Sequence, residues 1–310
     1  MILDKFRKHI PEPPDVVVIK STEPNTCGGT DATRDMRAPV EIVSGDMEFF
    51  MVEESFTTMV FEEAAASRLL RFSAYAAKHE QGAFLYISRQ TADDCDRTDA
   101  GMKLVSHDIF PELVSIVREY KLAANNGFHS RTHGLPENFG GSIDVRYAGG
   151  EWISISDNQS PVLSYEAAQA IDRAFEKAFK ADALPLPDLQ TLKEIRFYEE
   201  RKDGGFTRAT LEILPDGTGV NRKQSCYDDS KIYESEKPVD AGTVSAIKKV
   251  MDSNAILAWS GIRTVCAGMS KKCLTFVFPK TEITVTNDRE LPRQLSGAFF
   301  DIELELTTKH

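Results

Sequence analysis

His129 and His133 are the residues whose types and spacing first invite chemistry. Two imidazoles four residues apart can share a metal ion when a helix presents both on one face. Gly134 and Pro136 follow at once, which argues against a helix, and no third ligand stands nearby in sequence. The stretch from His129 to Gly141 therefore reads as a solvated loop, and no metal is expected. Asp93, Asp94, Asp96 and Asp99 with Gly101 have the look of a calcium loop. Counted from Asp94, however, the sixth position, which must be Gly, is Asp99, and the twelfth, which must be Glu, is Val105. An acidic loop over residues 91–101 is the better reading. Cys266 and Cys273 stand further apart than the paired thiols of structural zinc sites, and with Cys226 they read as small core residues.

The remaining signatures of catalysis do not occur. There is no G-x-x-x-x-G-K-[ST] phosphate loop, no G-x-G-x-x-G opening a helix, no G-x-S-x-G elbow and no H-E-x-x-H. No cofactor is expected. An enzyme is still open to the chain, because triads assemble from residues distant in sequence. Trp152 and Trp259 are the two tryptophans. Trp152 falls on the polar parity of its strand beside Ser154 and Ser156, so it projects away from the core. Trp259 follows a helix near a turn, and the two rings are the best candidates for a contact surface.

Charge narrows the partners. The 310 residues carry a formal net charge of -11, and residues 46–190 hold nearly all of it, with 13 basic and 23 acidic side chains. Such a surface repels phosphate backbones, so nucleic acid is not expected. Five cysteines, an odd number, suit reduced thiols in a cytoplasm. Residues 1–10 include Asp4, Lys5, Arg7 and Lys8, unlike a secretory signal, and no stretch approaches the ~20 apolar residues of a membrane span.

The elements that must position these side chains come in two sets. Residues 106–128 align without a gap on residues 240–262, pairing Phe110 with Val244, Leu113 with Ile247, Ile116 with Val250, Leu122 with Ile256 and Gly127 with Gly261. Self-similarity of this kind is the mark of a duplicated unit. In each set a helix precedes a hairpin. Leu113, Ile116, Val117 and Tyr120 recur at helical spacing after a cap at Ser106 or Asp108, with Pro111 in the first turn. Ile143, Val145, Tyr147, Ile153 and Ile155 then alternate with Asp144, Arg146, Ser154 and Ser156 around a Gly149-Gly150 turn. In the second set Leu274, Phe276, Phe278, Ile283 and Val285 take the apolar places. Phe300, Ile302, Leu304 and Leu306 alternate with Asp301, Glu303 and Glu305, which predicts a terminal strand without a counterpart in the first set.

The expectation is an α+β protein of two homologous domains, each an antiparallel sheet with helices packed on one face. Residues 1–45 form a leader, with one edge strand near Val16 to Ile19 and a loop over residues 22–39. Residues 46–180 form the first repeat, 181–192 a Pro-containing linker, and 193–310 the second repeat. The recurring strands, helix, segment such as Trp259-Ser260-Gly261-Ile262 or Asn125-Asn126-Gly127-Phe128, and hairpin resemble a class of uncharacterised bacterial proteins over most of residues 46–300. That resemblance implies the domain arrangement and carries no activity. The functional expectation is a non-enzymatic cytoplasmic module that binds a protein or small-molecule partner through His129, His133 and Trp152. The rival is an enzyme, a hydrolase for example, with its site in the cleft between the repeats.

Overall fold

The computed structural model describes residues 16–20, 29–57, 69–79, 82–93, 99–106, 108–135, 139–201, 204–227, 231–259, 271–287 and 293–307. Contacts divide the chain into two compact units, one of Met1–Ala74, Ile87–Ala100 and Ile109–Phe175, the other of Tyr75–Tyr86, Gly101–Asp108 and Glu176–His310.

Two short strands come first, β1 (Val16–Lys20) and β2 (Thr30–Asp35). The edge strand is where the apolar run at Val16 places it, but β2 stands inside the stretch read as loop. Its Thr and Ala residues satisfy a strand once β7 offers backbone partners, which composition alone does not disclose. Four strands follow, β3 (Met47–Ser55), β4 (Leu69–His79), β5 (Gly82–Thr91) and β6 (Asp99–Val105). Thus the acidic segment begins and ends in strand, while residues 94–98 lie outside the described residues. Helix α1 (Phe110–Glu119) has Pro111 in its first turn, and its N-cap is Ile109, with no side-chain cap bond, rather than Ser106 or Asp108. A 3-10 turn, Leu122–Asn125, leads to β7 (Phe128–Thr132), the hairpin β8 (Gly141–Tyr147) and β9 (Trp152–Asp157), and helix α2 (Tyr165–Phe179).

The plan then returns. Strands β10 (Glu194–Glu200), β11 (Phe206–Ile213), β12 (Gly219–Cys226) and β13 (Ile232–Val239) precede helix α3 (Ala241–Ser253), whose Asp240 carboxylate accepts the Thr243 amide as a cap. A 3-10 turn at Ile256–Trp259, the hairpin β14 (Lys271–Val277) and β15 (Glu282–Asn287), and helix α4 (Arg293–Thr307) complete it. The terminal strand is therefore a helix. Ala298, Phe299, Ile302 and Leu306 are buried at helical spacing and Phe300 is 54% exposed, so the alternation of 300 to 306 was a subset of a wider helical stripe.

Among the described residues the first sheet has the order β1-β2-β7-β9-β8-β3-β4-β5-β6 and the second β13-β12-β11-β10-β14-β15. The second is antiparallel at every described pairing, whereas the first is mixed, because β7 and β9 run parallel. Without β1, β2 and β7, the first sheet reads β9-β8-β3-β4-β5-β6, the same order of first, second, third and later strands as β15-β14-β10-β11-β12-β13. The α+β class stands, and no helix among the described residues is long and apolar enough to cross a membrane.

One face of each sheet carries helices. Phe50 meets Phe175 of α2 at 6.5 Å between ring centroids, on the side where Val52, Ile143, Val145, Ile153 and Ile155 are buried. In the second sheet Ile195, Phe197, Ala209, Leu211, Leu274 and Phe276 are buried, and Asn221 of that face donates to the Leu306 carbonyl of α4 at 2.8 Å. Each fully buried Phe or Ile side chain contributes roughly 1.5–3 kcal/mol, which explains why the alternating apolar sets fix which face turns inward.

Candidate functional site

The opposite face of the first sheet gathers the polar side chains. Register sets them in rows: Thr33, His129, Ser156, Ser142 and Glu53 in one, Ser154, Asp144 and Met51 in the next, then Trp152, Arg146 and Phe49. Period-two alternation places them there, since each neighbour in sequence is a core residue such as Ile143, Val145, Ile153 or Ile155.

His129 lies within β7 and not in a loop. Its Nδ1 stands 2.9 Å from Ser156 Oγ across the parallel pair. Burial holds the imidazole below its ordinary pKa, with the Asp35 charge opposing the shift, so the ring is neutral at pH 7. Among the described residues Nε2 makes no further hydrogen bond. Asp35 is instead taken by Arg37, whose amide and side chain both donate to its carboxylate and hold it below the usual range. Just past the strand, His133 Nε2 meets Asp31 Oδ2 at 2.9 Å, and the His133 amide donates to Gly29.

Trp152 sits opposite Arg146, whose guanidinium lies 5.3 Å from the Phe49 ring centroid and 3.4 Å from Asp144 Oδ1. The structure thus puts His129 and Trp152 on one face but four residues apart along β9, about 13 Å at ~3.3 Å per residue. His133 joins the His129 end, not the Trp152 end. Trp259, the other aromatic candidate, is 2% exposed and belongs to the core. Residues 136–138 of the expected loop lie outside the described residues.

The frame behind this face is Asn126. Its side-chain amide donates to the Pro39 carbonyl at 2.9 Å and to the Trp152 carbonyl at 2.6 Å, while its Oδ1 accepts the Ser154 amide at 2.8 Å. Gly127 donates to the Ser154 carbonyl and accepts from the Asp35 amide. The Asn125-Asn126-Gly127 segment therefore locks β9 against the chain that leads out of β2. At the far end, the Asn158 side chain pairs with both the amide and the carbonyl of Thr132.

Sequence reasoning put Asp144, Arg146, Ser154 and Ser156 on the polar parity of the hairpin but did not name them as site residues. Their association with His129 depends on the β7–β9 pairing, and a parallel pairing leaves no turn signal in the chain. Among the described residues the cysteines do not converge. Cys226 ends β12 and Cys273 lies in β14, with β11 and β10 between them, about 14 Å apart at ~4.8 Å per strand. Cys266, Asp94 and Asp96 lie outside the described residues. Among the described residues no three His, Cys, Asp or Glu side chains are grouped to hold a metal ion.

Chemically, the face offers hydroxyls, a neutral imidazole, an Arg–Asp pair and one half-buried indole. These are hydrogen-bonding and stacking groups on a rigid sheet. No family model matches the chain, and no curated protein is found to be similar to it.

Proposed function

We propose that this is a non-enzymatic binding or protein-interaction module of the bacterial cytoplasm, whose contact surface is the polar face holding His129, His133 and Trp152. The observation that carries the reading is that the polar side chains of this face are already bonded to one another, His129 to Ser156, His133 to Asp31 and Asp144 to Arg146. A preformed face of this kind binds without reorganising, which lowers the cost of association. A partly exposed Trp beside an Arg suits the centre of an interface.

The reading also takes the two halves, residues 46–180 and 193–310, as copies of one ancestral domain, with the first copy specialised for binding. The shared order of six strands, once β1, β2 and β7 are set aside, supports the duplication. So does the backbone: Lys121 (φ 51°) and Ala255 (φ 44°) are the non-glycine residues with positive φ among those described, and they occupy the same place when residues 106–128 are aligned on 240–262. The bacterial origin and the kinship with uncharacterised bacterial proteins belong to this proposal and rest on the sequence resemblance.

The test is a triple variant, His129→Ala, His133→Ala and Trp152→Ala, compared with the parent in affinity capture from a bacterial lysate. A partner retained by the parent and reduced at least tenfold with the variant, at unchanged melting temperature, is the expected result. Equal capture by both would sink the proposal.

A second reading, an enzyme of hydrolase type, draws on the Ser156–His129 bond, since a neutral imidazole beside a hydroxyl can act as its general base. It is the weaker reading. An imidazole that acts this way is normally oriented by a third group, whereas the Asp35 carboxylate is engaged by Arg37 and makes no bond to His129. Covalent labelling of Ser156 by a fluorophosphonate would favour the enzyme over the module.

A further inference from the structure

Glu54 is an acid where the core should be. It lies on the helix-covered face of β3 in line with Phe50 and Val52, and is 5% exposed. Its carboxyl accepts the Val162 amide at 3.2 and 3.1 Å and the Leu163 amide at 3.0 Å, in the segment that delivers Ser164, the residue bonding the first turn of α2. Across the strand pair stands Gly141, and a Cβ there would come within 2.1 Å of the carboxyl oxygen, so the glycine makes the room that the acid fills.

The second sheet shows what the same place looks like with a counter-charge. The hairpin equivalence of Ile143 with Leu274 makes Gly141 match Lys272, and strand pairing then makes Glu54 match Glu199. Lys272 Nζ lies 3.4 Å from Glu199 and 2.5 Å from Glu303 of α4. In the first repeat the acid ties its strand to the segment before α2, whereas in the second Lys272 bridges the equivalent acid to Glu303 of α4. Only in the first is the tie made by neutral amides alone.

Among the described residues, the groups facing Glu54 offer no cation. Along β3 its same-face neighbours are Val52 and Phe56. Next to it β8 presents Gly141 and Ile143, and the neighbouring strand end has Asp157, occupied by the amides of Gln159 and Ser160. From α2 comes Tyr165, whose hydroxyl accepts the Leu69 amide. Burial raises the carboxyl to about 8, which the two amide bonds only partly oppose.

We propose that Glu54 is a proton-dependent latch that holds the segment before α2 closed on β3 when its carboxyl is neutral and weakens as the carboxyl ionises. That segment also carries Asn158, which clasps Thr132 of β7, so the latch governs how firmly the His129 end of the polar face is held. The second repeat differs, because Lys272 stands at the place of Gly141 and sets its ammonium 3.4 Å from the equivalent acid.

The linkage has a fixed sign. A carboxyl near 8 when latched and at the ordinary 4.5 when released makes release more favourable about tenfold per pH unit between those values, and constant above them. Hydrogen exchange of the Val162 and Leu163 amides in the full chain, corrected for intrinsic exchange, should lose about fiftyfold in protection from pH 6 to pH 8. Glu54→Gln keeps the acceptor oxygen and removes the charge, and its protection should stay flat. Protection in the parent that is constant within twofold, or that falls equally in Glu54→Gln, would overturn the latch. Carbon-13 titration of the Glu54 carboxyl gives an independent reading that needs no variant. A midpoint near 8 supports the latch, and one below 6 refutes it.

Discussion

At the residue scale, the candidate face depends on a few backbone positions more than on its own side chains. Gly127 has φ 78°, and a Cβ on it would meet the Asp35 carbonyl and the Ala38 side chain at 2.7 Å. Gly134 has φ 83° and open space around it. Gly134→Ala should therefore cost only the left-handed backbone penalty, about 1–2 kcal/mol. Gly127→Ala adds the collision, and its melting temperature should fall clearly further. Equal melting temperatures for the two variants would mean that the β2 contact gives way freely. Asn126 is a sharper probe, because Asn126→Ala strips partners from two carbonyls and one amide inside the frame of β9. A loss of roughly 1–3 kcal/mol for each buried group left unpaired follows, read by chemical denaturation. The sequence does not disclose this frame, because the three partners of Asn126 come from parts of the chain up to 87 positions away.

At the element scale, what could be read from sequence was whatever depended on local period. The helices α1 and α3 and the hairpins β8–β9 and β14–β15 show in the sequence as apolar spacing, because each buries a stripe or a face of its own. What escaped was set by neighbours. Thr30–Asp35 and Phe128–Thr132 are strands because each lies against the other, and neither has the apolar alternation that would announce it. Strands β12 and β13 escaped for a similar reason, since Gly219–Cys226 and Ile232–Val239 are polar and the latter is exposed along nearly its whole length. The end of the chain shows period misread outright, and it gives a direct test. As a strand, Phe300 and Ile302 would share one face and matter alike. As the helix α4, Ile302 is fully buried while Phe300 is not. Ile302→Ala should cost about 2–5 kcal/mol and Phe300→Ala within ~0.5 kcal/mol, a contrast that equilibrium unfolding resolves easily.

At the scale of the whole molecule, the proposed duplication makes the two halves each other's control. The left-handed residues Lys121 and Ala255 close equivalent helix-to-turn connections, and a side chain there is strained where glycine would not be. Lys121→Gly and Ala255→Gly should each relieve about 1 kcal/mol of that strain, offset in part by the greater freedom of glycine in the unfolded chain. The direction should match in both repeats. Opposite signs would mean that the connections are alike in outline only. The acids at Glu54 and Glu199 divide more deeply. Burial works against the Lys272 ammonium, but Glu303 and Glu199 outweigh it and hold its pKa above the ordinary value, so the ammonium stays charged across the physiological range. Lys272→Ala should destabilise the protein by roughly 1–3 kcal/mol, less than a fully desolvated pair would lose because Lys272 keeps a quarter of its surface in water. Its effect should not vary between pH 5 and pH 8. Glu54 behaves oppositely. Its folded-state value lies above the unfolded one, so its contribution is complete at low pH and is lost as pH climbs towards 8. Relative to Glu54→Gln, the parent should therefore lose on the order of 3 kcal/mol of stability between pH 5 and pH 8. Denaturant unfolding of both proteins at the two pH values measures that difference directly, and a gap between them that stays constant would show that Glu54 is already ionised in the folded protein at pH 5.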